Sequence, residues 1–267
     1  MNPEVQPHLF FYPEDSGPSV SEARQAARWL HEVPNDQLTP MARIGHQDYY
    51  IHEPAMLRDG QVCIPVRWFM CQDLLYAKCW RISTIKSDLG SSWCVIIDDD
   101  FEVSQNEFLK TFPELEKDVP LYYSDIPVPS KISCKLLHIH LTYNDAYNTF
   151  FPDIFNPITN TREPWTFTDP NIGNCWHALA QGSRVATFPI WLYCDDTSGN
   201  LSKKWNKHNS FIFTAAGLPR AEAQKKFNVH FLSTSNLAPP LEMLDGVVDQ
   251  LEYVMLSLFQ SNLMNSY

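Results

Sequence analysis

The sequence lacks the features of a membrane or secreted protein. Its 267 residues contain no run close to the roughly 18 uninterrupted apolar residues that a spanning helix needs. The first residues, MNPEVQPHLFFYPEDSGP, have neither the basic start nor the apolar centre of a signal peptide. The sequence therefore predicts an intracellular protein that has no membrane partner.

Cysteine is present but follows no framework. The seven cysteines are an odd number, and no two of them have the CxxC spacing, which argues against a disulfide scaffold and a zinc ribbon. Buried, reduced thiols are the expected state. The cysteines are Cys63, Cys71, Cys79, Cys94, Cys134, Cys175 and Cys194.

Common catalytic motifs are also missing. The sequence has no Gly-rich phosphate loop, no serine flanked by glycines as in a nucleophile elbow, and no paired zinc histidines on a helix. The net charge of -11 repels a phosphate backbone, so any nucleic-acid contact needs a local basic patch. The hydrophobic content of 44% is nevertheless ample for a packed core.

The first half of the chain predicts a small α+β region. Residues 1–18 carry four prolines and are expected to form a flexible leader. A helix is predicted over residues 19–32, where Ser19 and Glu22 have the spacing of a capping box. The segment SDIPVPSK contains two prolines and places a domain boundary near Ser130, which gives an accessory region over residues 19–130.

Within this region two β-rich runs predict a hairpin, with its turn at Arg58, Asp59 and Gly60. A third run, WCVIIDDDFEVS, predicts a strand that ends at its acids, followed by an acidic helix, SQNEFLKTFPELEKD. Consecutive strand residues alternate between faces and seldom converge on one cation. A strand end therefore explains Asp98–Asp100 better than a metal site does.

The second half, residues 131–267, begins with a predicted strand, KISCKLLHIHLTYND, in which His138 and His140 share a face. No further metal ligand with a telling spacing accompanies these histidines. Residues 144–176 are rich in aromatic residues, asparagine and proline without a regular period, which predicts a long loop packed by its own side chains.

The clearest pattern begins at Val185. VATFPIWLYC predicts a strand buried on both faces in the middle of a sheet, and Asp195 and Asp196 follow at its end. SFIFTAA and FNVHFLSTS predict two further strands, and an apolar stripe after Pro240 predicts a helix. Three strands precede one helix, so the fold class is mixed α/β.

Two segments carry a resemblance to a known family. FPIWLYCDDTSGNLSKKWNKHNSFIFTAAGLPR and FNVHFLSTSNLAPPLEMLDGVVDQL closely resemble a segment of transposon-derived proteins of mushroom-forming (basidiomycete) fungi. These proteins are related to the Kyakuja, Dileera, Zisupton and Plavaka transposases. The resemblance covers about the last ninety residues and implies an RNase H-like fold with a nuclear location. RWLHEVP and FPELEKDVP extend it loosely upstream.

By this resemblance, Asp195 or Asp196 is the candidate first catalytic acid, and both are candidate ligands of Mg²⁺ or Mn²⁺ ions, which activate the nucleophile and stabilise the leaving oxygen. The alternative is that they only end a strand. The later carboxylates of such a core are expected to be missing, which predicts a truncated, incomplete RNase H-like sheet. Glu242, Asp245 and Asp249 lie on one helix face, where a solvated acidic face is the plain explanation.

One stretch could meet phosphates. Residues 203–226 hold a basic cluster, whose candidate DNA contacts are Lys203, Lys204, Trp205, Lys207, His208 and Arg220. Such residues often only solubilise a turn, and Trp205 could either stack on a base or anchor the hairpin.

Three hypotheses follow from these patterns. The first is a transposase remnant without catalytic activity, and the second is a module that binds nucleic acid or a protein completing its sheet edge. The third is an unrelated enzyme that uses residues 144–176 as a pocket wall, or an accessory protein of a fungal gene cluster.

Overall fold

The computed structural model describes residues 4–87, 90–112, 153–169, 173–187, 189–196 and 208–251. Helices and strands are mixed, as predicted, and strands predominate among these residues. The chain divides into two units. The large unit comprises Pro13–Ser16 and Leu30–Thr187, and the small unit comprises Met1–Tyr12, Gly17–Trp29 and Phe188–Tyr267.

The large unit contains an eight-stranded mixed sheet. Its strands are β1 (Glu14–Asp15), β4 (Ala55–Leu57), β5 (Val62–Cys71), β6 (Leu74–Ser87), β7 (Gly90–Ser104), β8 (Phe108–Lys110), β9 (Asp153–Asn156) and β10 (Thr161–Glu163). Their order in the sheet is β10-β9-β7-β6-β5-β4-β8, with β1 beside β5. Strands β1 and β5 are parallel, as are β7 and β9. A separate hairpin joins β2 (Met41–Ile44) to β3 (Gln47–Tyr50).

The hairpin predicted around Gly60 is confirmed as the antiparallel pair β4 and β5. Gly60 has φ of 83°, which glycine adopts at little steric cost. The Asp59 carboxylate accepts a hydrogen bond of 2.9 Å from the Gln61 backbone N–H and so fixes the turn. The local turn chemistry therefore sets the register of this pair.

The acidic run Asp98–Asp100 does not end its strand, contrary to the prediction. Strand β7 continues to Ser104, and the register with β6 shifts between Trp80 and Arg81, which leaves extra residues on β7. The Asp100 carboxylate lies 2.7 Å from the Lys78 ammonium group. Lys78 on the neighbouring strand thus balances the charge of Asp100, a residue that the sequence pattern places at a strand end.

The acidic helix predicted after β7 is also wrong over the described residues. Gln105–Glu107 form one 3-10 turn, and β8 follows directly and pairs with β4. The apolar side chain of Phe108 is buried against Trp68 and Tyr49, with ring centroids 5.3 and 5.1 Å apart. Tertiary packing therefore overrides the local preference for a helix.

The core of the large sheet contains Ile64, Val66 and Val95, with Trp80, Ile82 and Trp165 packed against them. Trp165 belongs to the predicted loop 144–176, of which 153–169 and 173–176 are described. Strands β9 and β10 form a hairpin inside this loop, so it is more regular than predicted. The boundary near Ser130 and the strand containing His138 and His140 lie outside the described residues.

The small unit contains the three predicted strands, followed by a helix at residues 240–251. Strand β12 (Asn209–Ala215) is central, between β11 (Ile190–Asp196) and β13 (His230–Ser235), and both pairings are antiparallel. The expectation of a central, doubly buried β11 is wrong for the described residues, because among them β11 is an edge strand and all seven of its residues are exposed.

The N-terminal predictions need correction too. Within the predicted leader, Val5 and Leu9 are buried against Ala215 and Leu218. Residues 19–32 form no regular α-helix, because Ala26 has an extended backbone between a 3-10 turn at Ala23–Gln25 and a π-helical turn at Arg28–Glu32. The capping box is present but uses Glu22 and Gln25.

Candidate functional site

The aspartate pair lies at the exposed end of β11. Asp195 is paired with Ser210 and Asp196 with Asn209 across the β11–β12 ladder. Both side chains are exposed, and because adjacent strand residues point to opposite faces, the two carboxylates diverge. The described residues contain no group of three or more metal-ligating side chains. This geometry favours a strand end over two carboxylates that share one ion.

The predicted basic site lies only partly within the described residues. Lys203, Lys204, Trp205 and Lys207 lie outside the described residues. His208 directly precedes β12, beside the end of the ladder that contains Asp196.

Arg220 begins the short helix Arg220–Ala223, after the opposite end of β12. Arg220 therefore follows the end of β12 that is remote from the aspartates, which are paired with Asn209 and Ser210. Lys225 is paired with Glu222 at 2.6 Å and lies over the Phe227 ring at 5.7 Å. Arg220 and Lys226 remain as exposed cations.

The edge strand β11 presents several large apolar side chains to solvent. Trp191 is 45% exposed and Tyr193 is 48% exposed, and both share a sheet face with Asp195. Ile190 and Leu192 on the other face are exposed as well. One backbone side of β11 pairs with β12, and among the described residues no strand pairs with its other side. An unpaired row of N–H and C=O groups beside large apolar side chains is a template for strand addition.

A second polar centre, in the large unit, surrounds Glu53. This carboxylate is almost completely buried, and it lies 2.8 Å from Nε2 of His177 and accepts a hydrogen bond of 2.5 Å from the Asn174 backbone N–H. The amide of the Asn174 side chain donates to the Ile51 carbonyl at 3.0 Å. Gly173 packs so closely on the Glu53 carboxylate that a Cβ atom there would clash. The loop 173–177 is therefore closed around one buried acid.

Sequence reasoning missed this centre, because Glu53 and His177 lie 124 positions apart. The only signal was a glutamate among apolar residues, in the segment IHEPAML. The ring of His177 also contacts Tyr50, with centroids 4.1 Å apart. Burial, together with the charges of Asp48 and Glu53, raises the pKa of Tyr50 to about 12. The phenol hence stays protonated. The packed cluster of Glu53, Asn174, His177 and Tyr50 is called the Glu53 clamp below.

His52, beside this clamp, has an unusual backbone. Its φ of 61° is in the left-handed region, and its carbonyl accepts a hydrogen bond of 3.0 Å from the Thr168 hydroxyl. The imidazole is buried against Phe167 and Trp80, with ring centroids 4.7 and 5.8 Å away. Burial lowers the pKa of His52 to about 4, and the charge of Asp36 opposes this only in part. The side chain is therefore neutral at physiological pH.

A cleft of about 320 Å³ opens on the large sheet. Arg67 lines this cleft and donates to Oδ1 of Asn35 at 2.7 Å, to the Val33 carbonyl at 2.6 Å and to the Leu30 carbonyl. Burial lowers the pKa of its guanidinium. The wall is of mixed charge, so it selects no single class of ligand. The lining residues are Asp15, Leu30, His31, Asn35, Val66, Arg67, Phe69, Lys78, Trp80, Asp100 and Glu102.

Comparison with known protein families gives one match. Residues 41–186 match a domain of unknown function, DUF8591. The chain belongs to this family. The DUF8591 segment lies within the large unit and contains the Glu53 clamp and most of the cleft, whereas β11 follows it. No curated protein and no solved structure gives a match. In the described part of this DUF8591 protein, no helix has the length and apolarity to cross a membrane.

Proposed function

We propose that this DUF8591 protein is a transposon-derived binding module without catalytic activity, and that β11 receives a strand from a partner protein. The observation that carries the proposal is the exposed, apolar edge of β11. Edge strands pair readily with added strands, since main-chain hydrogen bonds supply affinity and side-chain contacts supply specificity.

The geometry of the aspartates supports a non-catalytic role. Two-metal chemistry needs several carboxylates that converge on ions about 4 Å apart. Asp195 and Asp196 instead point to opposite faces of an edge strand.

The transposon origin rests on the resemblance of residues 188–220 and 227–251. The order of three antiparallel strands and one helix supports it, because the resemblance implies that order. A nuclear location follows from the same resemblance and is proposed with it.

Peptide display on the full-length protein tests the proposed binding function. A random peptide library is selected on wild-type protein, and each binder is then tested against Leu192→Pro and Leu192→Thr. Proline removes an N–H and disfavours strand pairing, whereas threonine keeps the strand and removes only apolar area. Binders that lose affinity for both variants support the proposal, provided that circular dichroism shows folded proteins. Failure to recover any binder sensitive to β11 contradicts it.

Nucleic-acid binding through residues 203–226 is the second proposal. It is favoured by the exposed cations Arg220 and Lys226, for which no side-chain partner is found among the described residues. An electrophoretic mobility assay over a range of salt concentrations checks it, because affinity that depends on phosphate contacts falls steeply with salt. Binding unchanged in an Arg220→Gln, Lys226→Gln double variant would contradict this assignment.

A further inference from the structure

The register of β11 restricts the chemistry of the strand that it can receive. This inference rests on the proposed function, because it concerns the same edge. Asp195, Tyr193 and Trp191 are spaced two residues apart and point to one face. An added strand places its own side chains directly opposite these three positions, with Cβ atoms about 5 Å away. The face thus presents one carboxylate followed by two aromatic rings.

We infer that the partner is a basic, extended peptide segment that runs antiparallel to β11, with an arginine opposite Asp195 and apolar residues opposite Tyr193 and Trp191. Arginine fits the first position because its planar guanidinium can pair with the carboxylate of Asp195 and stack on the neighbouring Tyr193 ring. From its amino end, the antiparallel partner segment therefore has the order arginine, any residue, apolar residue, any residue, apolar residue.

Charge argues against a second copy of this chain on the same edge. Each copy carries a net charge of -11, so two copies repel each other, whereas a basic segment is attracted. In a two-fold antiparallel pair centred on Tyr193, each Asp195 would face Trp191 of the other copy and gain no cation. The edge strand therefore favours a heterologous basic strand.

Fluorescence anisotropy with synthetic probes tests the inference on the full-length protein. The first probe is fluorescein-labelled Thr-Arg-Thr-Val-Thr-Val-Thr, designed to lie opposite Asp196 to Ile190 in order. The second has glutamate in place of arginine, and the third has N-methylated amides on alternate residues, which cannot donate to the edge. We expect the arginine probe to bind best, the glutamate probe to bind more weakly and the N-methylated probe not to bind.

Protein variants separate charge from folding. Asp195→Asn is expected to lower the affinity for the arginine probe about two- to fivefold, as for an exposed ion pair. The affinity for the glutamate probe is expected not to fall. Asp245→Asn removes the same charge from an exposed position on the helix at 240–251 and is expected to change nothing.

The outcomes distinguish the two levels of the proposal. If all backbone-competent probes bind equally and Asp195→Asn has no effect, the basic partner is refuted while strand addition stands. If no probe binds, or if the N-methylated probe binds as well as the others, strand addition at β11 itself fails. Sedimentation velocity showing a dimer that Leu192→Pro dissociates would replace the basic partner with a second copy.

Discussion

Protonation of His52 should make the large unit acid-sensitive. The imidazole is only 7% exposed and is packed against two aromatic rings, so burial lowers its pKa from 6.5 to about 4. Its pKa in the folded state is below its unfolded value, so the folded state binds fewer protons. Stability is therefore complete above pH 6.5 and falls as the pH drops from 6.5 toward 4.

The magnitude follows from these two pKa values. At pH 5 the unfolded histidine is almost fully protonated while the folded one is mostly neutral, which costs about 2 kcal/mol of unfolding free energy relative to pH 8. Below pH 4 the loss reaches a limit of about 3 kcal/mol. Other groups add their own pH dependence, so a comparison between variants is needed.

His52→Asn isolates the effect, because asparagine does not titrate and tolerates the left-handed φ of 61°. The variant should be less stable than wild type at pH 8, because aromatic packing is lost. Its unfolding free energy should fall between pH 8 and pH 5 by about 2 kcal/mol less than that of wild type. Urea unfolding followed by tryptophan fluorescence at several pH values measures this difference. His46→Asn, at an exposed turn, is the matched control. Parallel pH profiles for wild type and His52→Asn would refute the reasoning.

Three further predictions concern the other sites. Glu53→Gln should lower the unfolding free energy by about 1–3 kcal/mol, because a buried hydrogen-bonded charge is lost, while exposed Glu107→Gln should be nearly neutral in the same urea assay. Arg67→Lys should lower the unfolding free energy by about 1–3 kcal/mol, since an ammonium group cannot reproduce the three contacts of the guanidinium fork. Thermal unfolding measures this loss, with exposed Arg184→Lys as the control. Equal melting temperatures for the two variants would contradict the prediction. Isothermal titration with Mn²⁺ should give the same heats for wild type and an Asp195→Ala, Asp196→Ala double variant, and a saturable signal lost in the variant would contradict divergent carboxylates.

The elements that the sequence predicts well depend on local chemistry. The β4–β5 hairpin follows from the turn at Gly60, and the three strands of the small unit follow from apolar runs separated by polar turns. The run before Asp195 shows apolarity but not which strand lies beside it. Its edge position depends on tertiary pairing that no local pattern contains.

The Glu53 clamp shows the same limit for a site. Glu53 and His177 have no sequence relationship that predicts contact, since loop 173–177 reaches the acid only when the sheet has folded. The helix expected at 19–32 failed for a related reason. Its capping box is present one turn later than predicted, but the extended backbone of Ala26 ends the turn before a helix can propagate.

The small unit is assembled from distant parts of the chain, which has a consequence for biosynthesis. Val5 and Leu9 are buried by Ala215 and Leu218, so their native packing stays incomplete until those residues have left the ribosome. At typical synthesis rates the delay is roughly 10–40 s. The large unit, in contrast, can begin with its neighbouring hairpins during that time. The N-terminal segment is thus an expected site for chaperone binding on the nascent chain.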